Sequence, residues 1–411
     1  MDKTDVKVWR LLHAPVGPLA AHIDPFAEHL SEQGYNRFYI GEQLRFVARF
    51  SCWLKANHIH IDGVAEAHAK QFVARYAEEN AIQRGFPATI FRLIAYLRQR
   101  GAILDSPVVI ESTNVQRITT AYSRYLRDDQ GLSTATCVQY VPFAEQFLAN
   151  RFGTGTIRLS ALHAADVISF IRQQSGRLSP ARARCATIAL RSFMRYLNYR
   201  GDITLDLAAA VPAVPNWSMT AIPRAMPAEH VSAVLASCRR DTSTGRRDYA
   251  ILLLLARLGL RSSEIVQLTL DCIDWERGSL TVLGKGGSQS ILPIPTNVGE
   301  AIADYLQHGR PRCNFRALFL CANAPVRGFG SPTSIASIVY AAVTRAGINA
   351  QHRGTHQFRH ALACEMLRHG ASLPEIGSLL RHQHSKTTGI YAKVDFGALR
   401  PLAQPWPGEP R

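Results

Sequence analysis

A chain of 411 residues can hold two or three domains, and a hydrophobic content of 47% is ample for packed cores. The net charge of +16 points to a polyanionic partner. The longest apolar run, Ala250–Ala256, is far too short to span a membrane, the amino terminus lacks a signal-peptide pattern, and the absence of any Cys-x-x-Cys argues against disulfides and zinc knuckles and for a reduced, cytoplasmic setting.

The charge is unevenly spread. Residues 1–112 hold 13 Lys and Arg against 12 Asp and Glu, residues 113–222 hold 12 against 6, and residues 223–400 hold 21 against 12. The positive excess therefore belongs to the second and third segments, which are the ones expected to meet the polyanion.

The first two segments read as one helical unit written twice. Tyr96-Leu97, Arg100-Gly101 and Ile103 recur as Tyr196-Leu197, Arg200-Gly201 and Ile203. Upstream, Phe46-Val47 and Trp53-Leu54 align with Tyr140-Val141 and Phe147-Leu148, and Phe72-Val73 aligns with Phe170-Ile171. Each unit is expected to contain four or five helices, the last ending on a glycine. The bland alternative is that two helical bundles share such patterns by chance.

Between Pro180 and Tyr199, Arg184, Arg191 and Arg195 fall on one helical face, with Ala186, Leu190, Phe193 and Leu197 on the opposite one. In a basic segment, that stripe reads as a face that tracks DNA phosphates rather than as a merely solvated surface. Pro212, Pro215, Pro223 and Pro227 then break helix and mark an extended linker. Two basic domains on a flexible strap could close around a duplex.

Past the linker, a helical run around Asp248–Leu258 is interrupted by Gly259, and Ser262-Ser263-Glu264 opens the next helix. Arg261 thus sits at a helix amino terminus, where free N–H groups and the dipole also favour phosphate. Residues 279–283 and 289–294 flank Gly284-Lys285-Gly286-Gly287, a hairpin with Lys285 at its tip.

The stretch from Thr355 to Tyr391 concentrates the chemistry. Thr355 suits a helix cap and Gly370 a helix end, placing His356 and Arg359 one turn apart on a shared face. Ser372-Leu373-Pro374-Glu375 is a capping box that opens a second helix. Ser385 or Thr387 starts a third short helix holding Tyr391. Two imidazoles, a guanidinium and a phenol on neighbouring helix ends suit binding and attack of a phosphodiester. The competing reading is a metal pair of His356 and His360 with His352, His382 and His384 nearby, but no carboxylate or Cys stands at a ligand-like spacing beside them.

The run from Leu255 to Pro295, followed by Thr355 to Tyr391, closely resembles the catalytic motifs of the tyrosine recombinases, the phage-integrase family. The resemblance implies a mainly α fold with a small antiparallel sheet in the catalytic domain. It divides the chain into an amino-terminal helical domain (1–112), a core-binding-like helical domain (113–210), a linker (211–227), a catalytic domain (228–395) and a tail (396–411). It implies a site-specific DNA recombinase, an integrase or transposase of a mobile element, working through a 3′-phosphotyrosyl intermediate on Tyr391. Arg261 and Arg359 would grip the scissile phosphate and Lys285 would protonate the leaving 5′-hydroxyl. His356 would assist proton transfer, His382 would hydrogen-bond a phosphate oxygen and Glu264 would orient the set. No cofactor and no divalent ion are implied. The implied partners are double-stranded DNA with core sites, three further copies of the chain in a synaptic tetramer and, in some systems, accessory proteins, in the cytoplasm at the nucleoid. The tail is expected to dock as an extended segment. One departure is Arg381, where the family usually has glycine. A type IB topoisomerase and a catalytically silent DNA-binding regulator are the rival readings.

Overall fold

In the computed structural model, which describes residues 14–81, 85–103, 113–153, 155–213, 223–284, 287–350, 353–394 and 399–400, two units are distinguished. One is Ser106–Thr220, and the other combines Met1–Asp105 with Ala221–Arg411. The expected class, mainly α with a small antiparallel sheet, is the one observed.

The amino-terminal part contains α1 (Ala20–Glu32), α2 (Arg37–Ala56), a 3-10 turn (Ile61–Gly63), α3 (Glu66–Glu79) and α4 (Phe86–Gln99). Asn36 starts α2 by accepting the Phe38 N–H at 2.8 Å, the usual remedy for an orphan helix donor. The core is mostly aliphatic with an aromatic cluster inside it, Phe46 stacked on Phe86 at 4.4 Å and Phe50 against Phe72 at 5.0 Å. This part joins the segment that follows residue 223 through the Val326 N–H, which donates to the Gln33 carbonyl at 2.8 Å.

Ser106–Thr220 contains α5 (Asn114–Asp128), α6 (Thr134–Phe152), a 3-10 turn (Leu159–Ala161), α7 (Ala164–Ser175) and α8 (Pro180–Tyr199). The order of the amino-terminal part recurs, including the 3-10 turn between the second and third helices. Tyr96 and Tyr196 are both buried, and Arg100 and Arg200 lie over their rings at 5.4 and 5.8 Å. Both last helices run into a left-handed glycine, Gly101 at φ 68° and Gly201 at φ 76°, the conformation that glycine alone adopts without strain.

The segment from residue 223 onward begins with α9 (Ala228–Ala236), α10 (Ser243–Arg257) and α11 (Ser262–Gln267). Strands β1 (Ile273–Asp274), β2 (Ser279–Leu283) and β3 (Gln289–Pro293) form an antiparallel sheet in sequence order, with Leu280 opposite both Ile273 and Leu292. Lys285 lies outside the described residues, as do residues 214–222 of the expected linker and 396–398 and 401–411 of the expected tail. Then come α12 (Thr296–His308), α13 (Pro332–Arg345), α14 (His356–Arg368), α15 (Leu373–Leu379), α16 (Ser385–Thr388) and a 3-10 turn (Gly389–Val394). The core is built around α10, whose residues from Ala250 to Leu255 are all buried. Burying a helix on every side fixes its ends, and the end of α10 is where the site begins.

Candidate active site

Gly259 follows α10 at φ 56°. A Cβ there would stand 2.8 Å from Leu380 Cδ2 and 3.1 Å from Leu362 Cδ2. Glycine therefore lets three segments approach: the entry to α11, the helix α14 and the end of α15.

Arg359 binds these segments together. It is 4% exposed, and its guanidinium donates to the Gly259 carbonyl at 2.5 Å and to the Leu380 carbonyl. Burial, followed by Arg261 and Arg381, pushes its pKa down to about 10, so it remains a cation at neutral pH. Part of its donor set thus serves the backbone, which fixes the guanidinium plane.

Arg261 is the N-cap of α11 in extended conformation. Its backbone N–H donates to Glu264 Oε2 at 2.8 Å and its Nη1 to Glu264 Oε1 at 2.6 Å. Glu264 is buried and also accepts from Arg381 Nη2 at 2.9 Å. Arg261 and Arg381 thus share the Glu264 carboxylate, and Arg359, bonded to backbone carbonyls instead, adds a third guanidinium within reach of its charge. The local excess is two positive charges, a site suited to an anion whose charge grows during reaction.

The helix carrying His356 starts differently from expectation. Thr355 makes no cap; its residue is already helical, and its hydroxyl pairs with Ser262 Oγ at 2.8 Å. That bond ties the start of α14 to the start of α11, where Arg261 sits. The expected capping box of α15 is present, with the Ser372 N–H donating to Glu375 Oε2 at 2.7 Å.

Tyr391 lies on the last 3-10 turn and is 2% exposed. Burial pushes its pKa up to about 12, so it is a phenol, not a phenolate, at neutral pH. Its hydroxyl is 3.0 Å from His360 Nδ1. His360, not His356, is thus the imidazole within hydrogen-bond reach of Tyr391. Its place four residues after His356, on the same helical face, was the available signal. Burial, then His356 and Arg359, lowers the His360 pKa, which keeps the ring neutral and able to accept a proton.

His356 is also lowered, by burial and then by Arg359 and Arg261. His382 is lowered to about 4 by burial and the surrounding arginines, and its Nδ1 pairs with Thr388 Oγ1 at 2.7 Å. This bond orients the ring and leaves Nε2 for another partner. Of the sequence-predicted set, Arg261, Glu264, His356, Arg359, His382 and Tyr391 converge here; His360, Thr388 and Arg381 complete the cluster. No group of three His, Cys, Asp or Glu residues fit to hold a metal ion occurs among the described residues.

On α8, Arg184 and Arg195 are exposed. Arg191 is half-buried, and its Nη2 donates to the Val211 carbonyl at 2.9 Å. The three arginines share the predicted face, but one of them is engaged in holding the end of its own unit.

Residues 224–397 match the phage integrase family. The y4rA protein of Sinorhizobium fredii (strain NBRC 101917 / NGR234), named as an integrase/recombinase, is 49% identical over 400 residues, spanning 97% of this chain and 97% of that one. The tyrosine recombinase XerC of Pseudomonas putida (strain W619) is 30% identical over 287 residues, spanning 69% of this chain and 93% of its own. In fold, the chain is similar to the XerH site-specific recombinase bound to palindromic difH substrate, with a TM-score of 0.55, 17% identity, and coverage of 75% and 93%. A lambda integrase dimer bound to a COC′ core site gives a TM-score of 0.52, 13% identity, and coverage of 80% and 91%.

Proposed function

The chain belongs to the phage integrase family of tyrosine recombinases, and on that premise we propose that it is a site-specific DNA recombinase whose nucleophile is Tyr391. The observation that carries the reading is the Tyr391 hydroxyl at hydrogen-bond distance from a neutral His360, beside a cluster with more guanidinium than carboxylate.

The Tyr391 oxygen attacks phosphorus and the P–O5′ bond breaks. The phenolic proton passes to His360 Nδ1, and the departing 5′-oxygen takes a proton from Lys285. Arg261 and Arg359 stabilise the pentavalent transition state, with His382 Nε2 and His356 directed at its oxygens. Glu264 fixes the Arg261 backbone at the start of α11 by accepting its N–H. Because the phosphodiester energy is kept in the 3′-phosphotyrosyl bond, rejoining reverses these steps with a 5′-hydroxyl as nucleophile.

Residues 1–112 and 113–210 serve as two copies of one helical domain, 228–395 as the catalytic domain and 396–411 as a docking tail. The recurring helix order and the paired Tyr96–Arg100 and Tyr196–Arg200 contacts support the duplication. Arg184 and Arg195 contact the DNA backbone. At the offset that pairs Tyr96 with Tyr196, Arg191 and Arg195 correspond to Phe91 and Ala95, so the first copy lacks most of that basic face. The partner is double-stranded DNA carrying a core site, synapsed by a tetramer, in the service of integration or transposition of a mobile element.

The test is strand exchange between two labelled duplexes, each carrying an inverted repeat from the DNA flanking the gene and selected for binding the purified chain. Recombinant strands joined across the two duplexes are expected. Relaxation of supercoiled DNA without any exchange would favour a type IB topoisomerase instead.

A further inference from the structure

Arg381 concentrates three unfavourable features. Its φ of 55° lies in the left-handed region, which residues with a Cβ rarely enter. Its side chain is only 8% exposed. Its Nε–H is buried without a partner among the described residues, although buried donors are nearly always satisfied. Such a residue persists where its surroundings compel it.

What compels it is Glu264. Arg381 Nη2 stands 2.9 Å from Glu264 Oε2, while Nη1 donates to the Leu379 carbonyl at 2.8 Å. Among the described residues Glu264 has three donors, and they divide by mobility. The Arg261 N–H belongs to the backbone, and Arg381 is sealed in. The Arg261 guanidinium, on a side chain 30% exposed, can leave.

A phosphate group entering the site competes with Glu264 Oε1 for that guanidinium. Glu264 itself is 2% exposed, so water cannot replace a lost cation. Without another partner, the carboxylate would be left buried and unpaired, a strongly unfavourable state, and Arg261 would stay on Glu264. Arg381 removes that obstacle because it remains when Arg261 turns away.

We propose that Arg381 is a positioning residue that keeps Glu264 neutralised, so that the Arg261 guanidinium transfers from Glu264 to the scissile phosphate. The inference rests on the reading of Arg261 as a phosphate ligand. It also gives the excess of guanidinium over carboxylate a division of labour: Arg381 serves the carboxylate, and Arg261 serves the substrate.

The test uses single-turnover cleavage of a nicked duplex carrying the flanking-DNA repeat, with the covalent adduct read on a denaturing gel. Arg381→Gly removes the guanidinium and accepts a φ of 55° without strain. It is expected to lower the cleavage rate roughly tenfold or more while affinity for the duplex changes less than about threefold. Adding Glu264→Gln should recover most of that loss, because a neutral amide no longer retains Arg261 by charge. Arg381→Lys, which keeps a cation near Oε2, should cleave faster than Arg381→Gly. Wild-type cleavage in Arg381→Gly, a loss that Glu264→Gln does not relieve, or a lysine variant no faster than the glycine variant would each overturn the proposal. If the wild-type chain forms no adduct on this duplex, the recombinase reading itself fails; if it forms one and Arg381→Gly matches it, only the role of Arg381 fails.

Discussion

His360 Nδ1 lies 3.0 Å from the Tyr391 hydroxyl, with the two rings edge to face at 5.7 Å between centroids. This contact joins the middle of α14 to the last 3-10 turn. It pairs a phenol that resists ionisation with an imidazole that stays neutral.

His360→Ala is therefore expected to slow adduct formation by about 10²-fold, the usual scale for losing a positioned acid or base, while duplex affinity holds. The measurement is single-turnover cleavage alongside a binding isotherm. His356→Ala, which leaves the 3.0 Å contact in place, should be the milder of the two. A more damaging His356→Ala would return the proton-accepting role to His356.

The pH dependence follows from the same environment. His360 is lowered by burial first, then by His356 and Arg359, so it remains neutral as pH falls through the ordinary imidazole range. Cleavage should stay flat from pH 7 past 6.5, the unperturbed imidazole value, and fall only in more acid solution. A rate controlled by a group titrating at or above that value would contradict this.

Stability carries the same sign. His356, His360 and His382 all have folded-state values below the unfolded 6.5, so protons bind the unfolded chain more readily. Their contribution is fully present above that pH and is lost as pH falls through the folded values, down to about 4 for His382. The thermal midpoint should therefore drop below pH 6.5 in the wild-type chain. His382→Gln should flatten the acid end of that curve; an unchanged curve would show that His382 is as easily protonated in the fold as out of it.

The arginine face of α8 can be separated by salt. Arg184→Ala and Arg195→Ala should each reduce the slope of log affinity against log salt by about 1. Arg191→Ala should leave the slope nearly unchanged and cost about 1 kcal/mol of stability through the lost bond to the Val211 carbonyl. Equal slope changes for all three would mean that Arg191 leaves that carbonyl for DNA.

Lys285→Ala should slow cleavage of an ordinary 5′-oxygen substrate and largely spare one with a 5′-bridging sulfur, because a thiolate leaves without a proton. Equal loss on both would make Lys285 a DNA-positioning group.

Much of the site was legible because it lies on short-range patterns. The turn spacing of His356 and Arg359, the Ser372–Glu375 box and the helix break at Gly259 each act within a few residues, whereas the approach of Leu362 and Leu380 to that glycine spans more than 100. The paired Tyr96 and Tyr196 helices were legible for the same reason, since burial of one face repeats every turn. What the sequence hid depends on long-range geometry. His360 read as a metal-pair candidate because its partner Tyr391 lies 31 residues away. Thr355 read as a cap because its bond to Ser262 spans 93 residues. Arg381 read as a departure from glycine because its left-handed backbone and its pairing with Glu264, 117 residues away, appear only in the fold.

The central claim is that Tyr391 is the nucleophile. The most direct measurement is covalent trapping on the nicked duplex, comparing the wild-type chain with Tyr391→Phe and mapping the linked peptide by mass spectrometry. The account predicts a protein–DNA adduct through Tyr391 at the 3′ side of the break, and a Tyr391→Phe chain that binds the duplex with wild-type affinity but forms no adduct. An adduct that persists in Tyr391→Phe, or one mapped to another residue, would contradict it.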